Sequence, residues 1–405
     1  FASVEDGAKL YVANANANEE YTILAGEGIT SGWALENISV NGLIENITIV
    51  GSDATSFKVK TGGLKFNVDN TVMPNVGDAI VAGSDVKAKE ALKAMVDTPS
   101  EAQQAANVNA YANMGENLGV TRGAYDVANM VGDAITNHWD NDAKGENIWA
   151  VYTHSKDKVD GLKLGGMDAK YDTQYNGVVV GADLNKDFGI ALNYADGNVS
   201  NGFGGHNDAK YYGVSVYGRK NFGKVNLLGD VTYTHGKNEL AQNGIEADAK
   251  TNTISMGVTA KYATNIVKVG NVTPFVGVRY VRIDGKDYRD SIGVNREADK
   301  VNSVIVPMGV EYSGEFNVSG SDWHCKPVLA LGYVFNLGDK DNTMTLGYNG
   351  AKDSFGYDFA DNGAFFTKAA LNFTKKNLTL GVGYDYMKSK NSKNNRWNVS
   401  LNYAF

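Results

Sequence analysis

The sequence has almost no cysteine, little proline and no long apolar run. Cys325 is the single cysteine, which excludes an intramolecular disulfide and any cysteine-built metal cluster. Only 5 prolines occur in 405 residues, so strand ladders can run without the interruptions proline imposes. No stretch approaches the ~18 consecutive apolar residues of a membrane helix. A basic surplus is also lacking: the net charge of −8 argues against a general nucleic-acid binder, and no nucleic-acid partner is expected. The chain opens on Phe1 without the basic and apolar stretches of a signal peptide, so such a peptide is expected to have been removed or never to have belonged to this fragment. None of this excludes a membrane, because alternating strands average to near-neutral hydropathy, and the mean hydropathy is −0.30.

What is present is period two. Trp397, Val399, Leu401, Tyr403 and Phe405 alternate with Asn398, Ser400, Asn402 and Ala404, which makes one strand face apolar and the other small or polar. Similar segments recur from Asn147 onward. About twelve strands are expected, near 147–157, 170–184, 188–200, 209–221, 224–238, 249–263, 271–286, 301–317, 322–336, 363–376, 378–390 and 394–405. One face carries sets such as Val178, Val180, Ala182, Leu184, or Ile254, Met256, Val258, Ala260, Tyr262. The opposite face carries Asp183, Asp230, Lys261, Arg279, Glu311, Lys368 and Asp385, costly toward lipid and tolerable toward a hydrated lumen. Short connections (185–187, 221–223, 375–377) are expected to alternate with long polar loops near 158–169, 201–208, 239–248, 287–300 and 337–362. The fold class that follows is mostly β: a 12-stranded antiparallel outer-membrane β-barrel, lipid outside and water inside.

Ahead of the barrel, residues 1–72 read as short strands punctuated by glycines, among them Gly7, Gly26, Gly28, Gly32, Gly42 and Gly51. Helix formers follow over 73–118, with Ser84 expected to cap one segment and Thr98-Pro99-Ser100-Glu101 to open another. A further helix is expected over Val120–Trp139, within a linker spanning 119–146. Val120, Ala124, Val127, Val131 and Ile135 form one stripe, and Gly123, Ala128 and Gly132 keep the remaining circumference slim. A slim helix about 10 Å wide nearly fills a narrow lumen.

The order of parts resembles the type V autotransporters of Gram-negative bacteria: β-rich sequence, a helical linker, then about twelve strands ending on an aromatic. The local motifs behind the resemblance are Ile148-Trp149-Ala150 after the helix, Gly181 and Asp183 following Val178-Val179-Val180, and the terminal Tyr403-Ala404-Phe405. The resemblance implies an outer-membrane translocator that exports its own N-terminal passenger to the cell surface. It further implies that Trp397, Val399, Leu401, Tyr403 and Phe405 form the C-terminal assembly signal, and that residues 1–72 are a passenger remnant like the family's autochaperone region. Implied partners are outer-membrane lipid and lipopolysaccharide, the barrel assembly machinery with periplasmic chaperones, and the passenger itself. Some members cut themselves at an Asn-Asn pair in the pore helix. Only the isolated Asn129 and Asn137 occur here, so that self-cleavage is not expected.

Candidates for chemistry are weak, and no catalytic residue, cofactor or metal is expected. His154-Ser155 places a histidine beside a hydroxyl, but neighbours on a strand point to opposite faces. Gly202-Phe203-Gly204-Gly205 before His206 lacks the strand-to-helix setting of a phosphate cradle. Asp196, Asp208 and Asp248 match no cation loop. The aromatic stock (Trp149, Tyr152, Tyr194, Tyr233, Tyr280, Tyr333, Trp397) suits interface girdles. The competing readings are a plugged porin-like channel, a surface adhesin on a barrel anchor, and an outer-membrane hydrolase.

Overall fold

A computed structural model describes residues 8–27, 34–139, 146–267 and 270–405. Gly7, Gly28 and Gly32 lie outside the described residues, as do positions 140–145 of the expected linker. Twelve antiparallel strands close into a barrel. They are β1 (Asn147–Leu164), β2 (Met167–Asp183), β3 (Phe188–Asn201), β4 (His206–Phe222), β5 (Val225–Gln242) and β6 (Ile245–Tyr262). The second half comprises β7 (Gly270–Gly285), β8 (Val301–Ser313), β9 (His324–Asn336), β10 (Gly363–Lys375), β11 (Leu378–Ser389) and β12 (Ser392–Ala404). Closure comes from β12 pairing with β1, from Ala404 opposite Asn147 to Ser392 opposite Val159.

The register fixes what each face meets. Leu192, Val216, Met256, Leu331 and Leu401 are exposed on the outer face, while their sequence neighbours Ala191, Tyr217, Ser255, Ala330 and Asn402 are buried inside. An unbroken apolar exterior of this extent is an energetic liability in water and a requirement in lipid.

Both barrel termini lie at the rim of the connections 184–187, 223–224, 263–267, 314–323 and 376–377. At the opposite rim, three of the expected long loops are strand. β1, β5 and β6 each run for 18 residues, where a membrane needs ~9–11. The surplus stands above the lipid band and closes in tight turns at 165–166, 202–205 and 243–244. Beyond the membrane both strand faces meet polar surroundings, so the apolar alternation that marks a strand in sequence fades there. Asn243-Gly244 turns with both residues at positive φ (53° and 76°), the type I′ geometry that Asn-Gly favours.

Only 286–300 and 337–362 are long at that rim, and they too are ordered. Tyr288–Arg289, Asn295–Ala298, Asp341–Tyr348 and Ala351–Asp358 form a separate four-stranded sheet. Within the expected loop 337–362, residues 343–348 belong to this external hairpin and not to the barrel wall. Against the sheet stand α1 (Pro74–Ala82), α2 (Val86–Val96) and α3 (Glu101–Ala112), followed by α4 (Val120–Trp139). Asp85, not Ser84, caps α2, accepting from the Ala88 amide at 3.1 Å. Ser100, not Thr98, caps α3, accepting from the Gln103 amide at 3.2 Å. The shift leaves Pro99 outside the helix.

In the N-terminal part, Leu10–Val12 pairs in parallel with Ile38–Val40. A three-stranded antiparallel sheet of Glu20–Ala25, Ser56–Thr61 and Ile47–Ser52 accompanies it. Val12, Ile38, Ile44, Phe57 and Val59 make a small core of their own, whereas Leu43, Phe66 and Val68 join the core of the helices. Structural continuity therefore runs across the expected boundary at 72.

Candidate functional site

The site is the lumen and its outer mouth. α4 is buried nearly all round, as suits a helix enclosed by protein. Val120, Ala124, Val127, Val131 and Ile135 are all below 6% exposed, and so are Met130, Ala134, His138 and Trp139. The helix leans on β5, β6 and β7. A β-carbon added at Gly123 would fall 2.3 Å from the Tyr175 hydroxyl, and one at Gly132 would fall 2.2 Å from the Arg279 guanidinium. Glycine in the wall makes matching room: a β-carbon at Gly177 would meet Met130 at 2.4 Å. The slim faces read in the sequence are thus the faces along which helix and wall approach.

Polar and charged pins fix the helix along its length. Arg122, near its start, pairs with Asp157 of β1 at 2.8 Å and also holds Asp126 one turn on. Asp133, in the middle, accepts from Arg396 of β12 at 2.9 Å and lies 3.8 Å from Lys368 of β10. His138, at the end, meets Asp183 of β2 at 2.9 Å and stacks on Trp149 with centroids 4.3 Å apart. Trp149 donates to the Tyr217 hydroxyl at 2.7 Å, and that hydroxyl donates to Asp183 at 2.9 Å. Trp149 is therefore a lumen residue, not part of a lipid girdle. By parity it belongs with Val151 and Thr153, whereas Ile148, Ala150 and Tyr152 face lipid.

The expected lumen charges all face inward; some are joined to one another within the wall, and others reach the helix. Arg279 donates to both Asp230 carboxylate oxygens at 2.6 and 2.9 Å, and to Ser255 at 2.7 Å. Glu311 pairs with Lys261 at 3.3 Å, and Lys368 reaches Asp133. Arg279 touches the helix by packing under Gly132, while its hydrogen bonds stay within the wall. Sequence reading missed the helix's own pins, Arg122, Asp133 and His138. Their signal was available as charged or titratable groups, Asp126 among them, on an otherwise slim helix. On the side facing β8–β12, a cavity of about 100 Å³ remains between helix and wall, lined by Asn137, Lys368, Asn372, Asp385 and Asn398 among others.

The outer mouth is closed by α1–α3. α1 starts at Met73 without a side-chain cap of its own. Asp353 of the external hairpin supplies one, accepting from the Val76 amide at 2.7 Å and from the Asn75 side chain at 2.8 Å, where a helix N-terminus favours negative charge. On α3, the Tyr111 hydroxyl donates to Asp290 at 2.7 Å, and its carbonyl accepts from Arg296 at 3.0 Å. Asp290 and Arg296 pair at 2.6 Å with both side chains fully buried. Asn113 donates to the Gly165 carbonyl, and Asn207 donates to the Leu118 carbonyl, so the β1–β2 and β4 rims are tied in as well.

A family model described as the autotransporter beta-domain matches residues 148–385. The chain belongs to the autotransporter family. The translocator domain of the autotransporter NalP from Neisseria meningitidis superposes with a TM-score of 0.54 at 15% identity, over 71% of this chain and 99% of that one. The transport unit of AIDA-I from Escherichia coli gives 0.52 at 14%, over 70% and 98%. These likenesses are of fold. In sequence, the protein YaiT of Escherichia coli strain K12 is 25% identical over 368 residues, covering 81% of this chain and 35% of YaiT. A YaiT from Salmonella typhimurium strain LT2 is 24% identical over 367 residues. The chain spans about a third of the length of these curated relatives. The barrel is an autotransporter's outer-membrane translocator, and the family is one of transport, not catalysis.

Two predictions arise here. Gly132→Val should unseat α4, since the added carbons fall where the Arg279–Asp230 pair sits. The variant barrel should keep its heat-modifiable gel mobility while residues 120–139 become accessible to protease, and unchanged protection would contradict the packing. The second concerns Glu116, buried in the mouth with Thr121 donating to it at 3.0 Å. Burial pushes its carboxyl up to about 7, against the pull of the Thr121 hydrogen bonds. A carboxyl raised on folding stabilises below its unfolded value and loses that contribution as pH rises through the folded value. The cap should accordingly loosen between about pH 5 and 7, by up to roughly 3 kcal/mol. Glu116→Gln should flatten this dependence in hydrogen exchange of α3, and an unaltered pH profile would refute it.

Proposed function

We propose that residues 119–146 are the exported chain arrested in its own pore, that 73–118 are a cap folded on the outer mouth, and that 1–72 are the membrane-proximal remnant of a passenger. One observation carries this reading. The barrel begins and ends at the inner rim, yet the chain preceding it stands at the outer rim and reaches the inner one only through α4. Residues 8–118 must therefore have crossed the barrel or been closed in by it. Folding on the far side buries Met73, Ile80, Leu92 and Val108, each fully inaccessible to solvent, and that free energy disfavours return. Proteolysis of intact cells tests the reading. Added protease should cut within residues 8–72 without permeabilisation while the barrel survives, and cutting only after permeabilisation would refute it.

The partners follow in the same sense. The barrel assembly machinery and periplasmic chaperones would receive the strands before insertion, the outer face would meet lipid and lipopolysaccharide, and the passenger would be the cargo. Trp397, Val399, Leu401, Tyr403 and Phe405 all point outward from β12 or its end, which leaves them readable in an unclosed barrel. Truncation at Phe405 together with Tyr403→Ser should lower the heat-modifiable, assembled fraction several-fold, and full assembly would remove these residues from the signal. We assign the barrel no reaction. His154 turns outward to Asn176 and Ser155 inward to Asn394, so they cannot act together. The filled lumen speaks against a porin-like channel.

A further inference from the structure

Above the lipid band, on the outer face of β4, β5 and β6, like charges fall into rows. Lys210, Lys237 and Lys250 stand directly opposite one another across the three strands, and all three are exposed. One pleat farther from the membrane, Asp208, Glu239 and Asp248 form a matching acidic row. One pleat nearer it come Tyr212, His235 and Asn252, and then the lipid-facing Val214, Tyr233 and Ile254. With strands ~4.8 Å apart and ~3.4 Å of rise per residue, the lysine row spans about 10 Å and stands about 7 Å beyond Tyr212. That is the depth of headgroups over an aromatic belt.

Like charges directly opposite across strands are destabilising. Among the described residues no carboxylate lies within 4.0 Å of any of the three lysines, although Asp196 of β3 stands opposite Lys210 at the end of the row and further acidic side chains lie one pleat away. Lys237 rests over the Tyr212 ring at 5.8 Å, which turns one ammonium toward the membrane side. An anion at this depth would relieve the repulsion, as basic side chains are drawn to an anionic surface. The acidic row confines such an anion to a single layer, which disfavours a polyanion running outward along the barrel.

We propose that Lys210, Lys237 and Lys250 form a binding site for the phosphorylated sugar headgroup of the outer-leaflet glycolipid. The site rests on the outer-leaflet contact proposed above and gives that contact a location. It holds the headgroup through its phosphates, with Tyr212 beneath as the apolar shelf for the start of the acyl region.

Full-length protein in detergent, titrated with diphosphorylated or with dephosphorylated lipid A, tests this. The readout is the temperature at which the heat-modifiable folded band disappears. The diphosphorylated form should raise that temperature for the unaltered chain, and the dephosphorylated form should not. K210Q/K237Q/K250Q should fold normally and lose the shift. K186Q/K220Q/K224Q, at the opposite rim, should retain it and thereby control for loss of charge. If the phosphate-dependent shift survives in K210Q/K237Q/K250Q, the glycolipid contact stands and this site falls. If no chain distinguishes the two forms, the site and the headgroup contact fall together.

Discussion

Removal of residues 1–139 is expected to turn a barrel that conducts feebly into an open pore. α4 is an obstacle ~10 Å across in a lumen where Gly123, Gly132 and Gly177 already admit no β-carbon. Much of the vacated space should stay open, because many of the wall residues lining it are short or are held in wall-to-wall pairs. Ala191, Ala195, Ser215 and Ser255 are the short ones, and Arg279–Asp230 and Lys261–Glu311 are the pairs. Single-barrel conductance in planar bilayers should therefore rise by roughly an order of magnitude, as a helix that wide occupies most of the bore. Deleting residues 1–72 alone should change little, since α4 and the cap remain. An unplugged barrel no more conductive than the whole chain would mean that the wall closes by itself, and the pore reading would fail. The deletion also leaves Asp157, Asp183 and Arg396 without Arg122, His138 and Asp133. Breaking a buried pair from one side is the costly case, so the emptied barrel should melt at a lower temperature than the filled one.

The barrel was legible because lipid imposes a rule without exceptions along each span. Every lipid-facing position must be apolar, so period two survives from Val178 to Leu184 and from Ile254 to Tyr262, and strand limits follow closely. The rule stops at the membrane edge. Residues 158–164 and 239–242 have polar groups on the outer face, and nothing local separates such a strand from a loop. Asn243-Gly244 carried a turn signal for the β5–β6 hairpin that the loop reading passed over. Trp149 shows the opposite error: residue type suggested a girdle, while its parity with Thr153, Ser155 and Asp157 already placed it inside. The cap was illegible for a different reason. Its decisive contacts join α1 to Asp353 and α3 to Asp290 and Arg296, and neither periodicity nor spacing carries information over such separations. Pro74 at a first helical position marked the start of α1, but the cap that completes that start lies in another hairpin.

Arg296→Met is expected to release the cap from the barrel while leaving the barrel intact. Arg296 bonds Asp290 and the Tyr111 carbonyl, and its guanidinium lies 4.9 Å from the Tyr111 ring centre. Methionine fills part of the space and leaves the Asp290 carboxylate buried without its cation, a change that costs ~3–5 kcal/mol. Asp290 keeps other duties that limit the damage to its own loop, since it also accepts from the Ile292 and Val294 amides. The loss should thus concentrate at the seam between α3 and the 286–300 hairpin. Tyr111→Phe removes only a hydroxyl-to-carboxylate hydrogen bond, worth ~1.5–3 kcal/mol, and should fall between wild type and Arg296→Met. Hydrogen exchange should quicken across α1–α3 in that order, with β1–β12 unchanged. Equal protection of α3 in all three chains would show that the pair does not hold the cap. If the prediction holds, the consequence bears on transport. Ile292, Val294, Leu346 and Tyr348 belong to the barrel's hairpins yet are buried with the helices of the preceding chain. On the proposed reading, those side chains would stay exposed until α1–α3 arrive outside, and would then receive them. The mouth would then close only over a chain that has already come through.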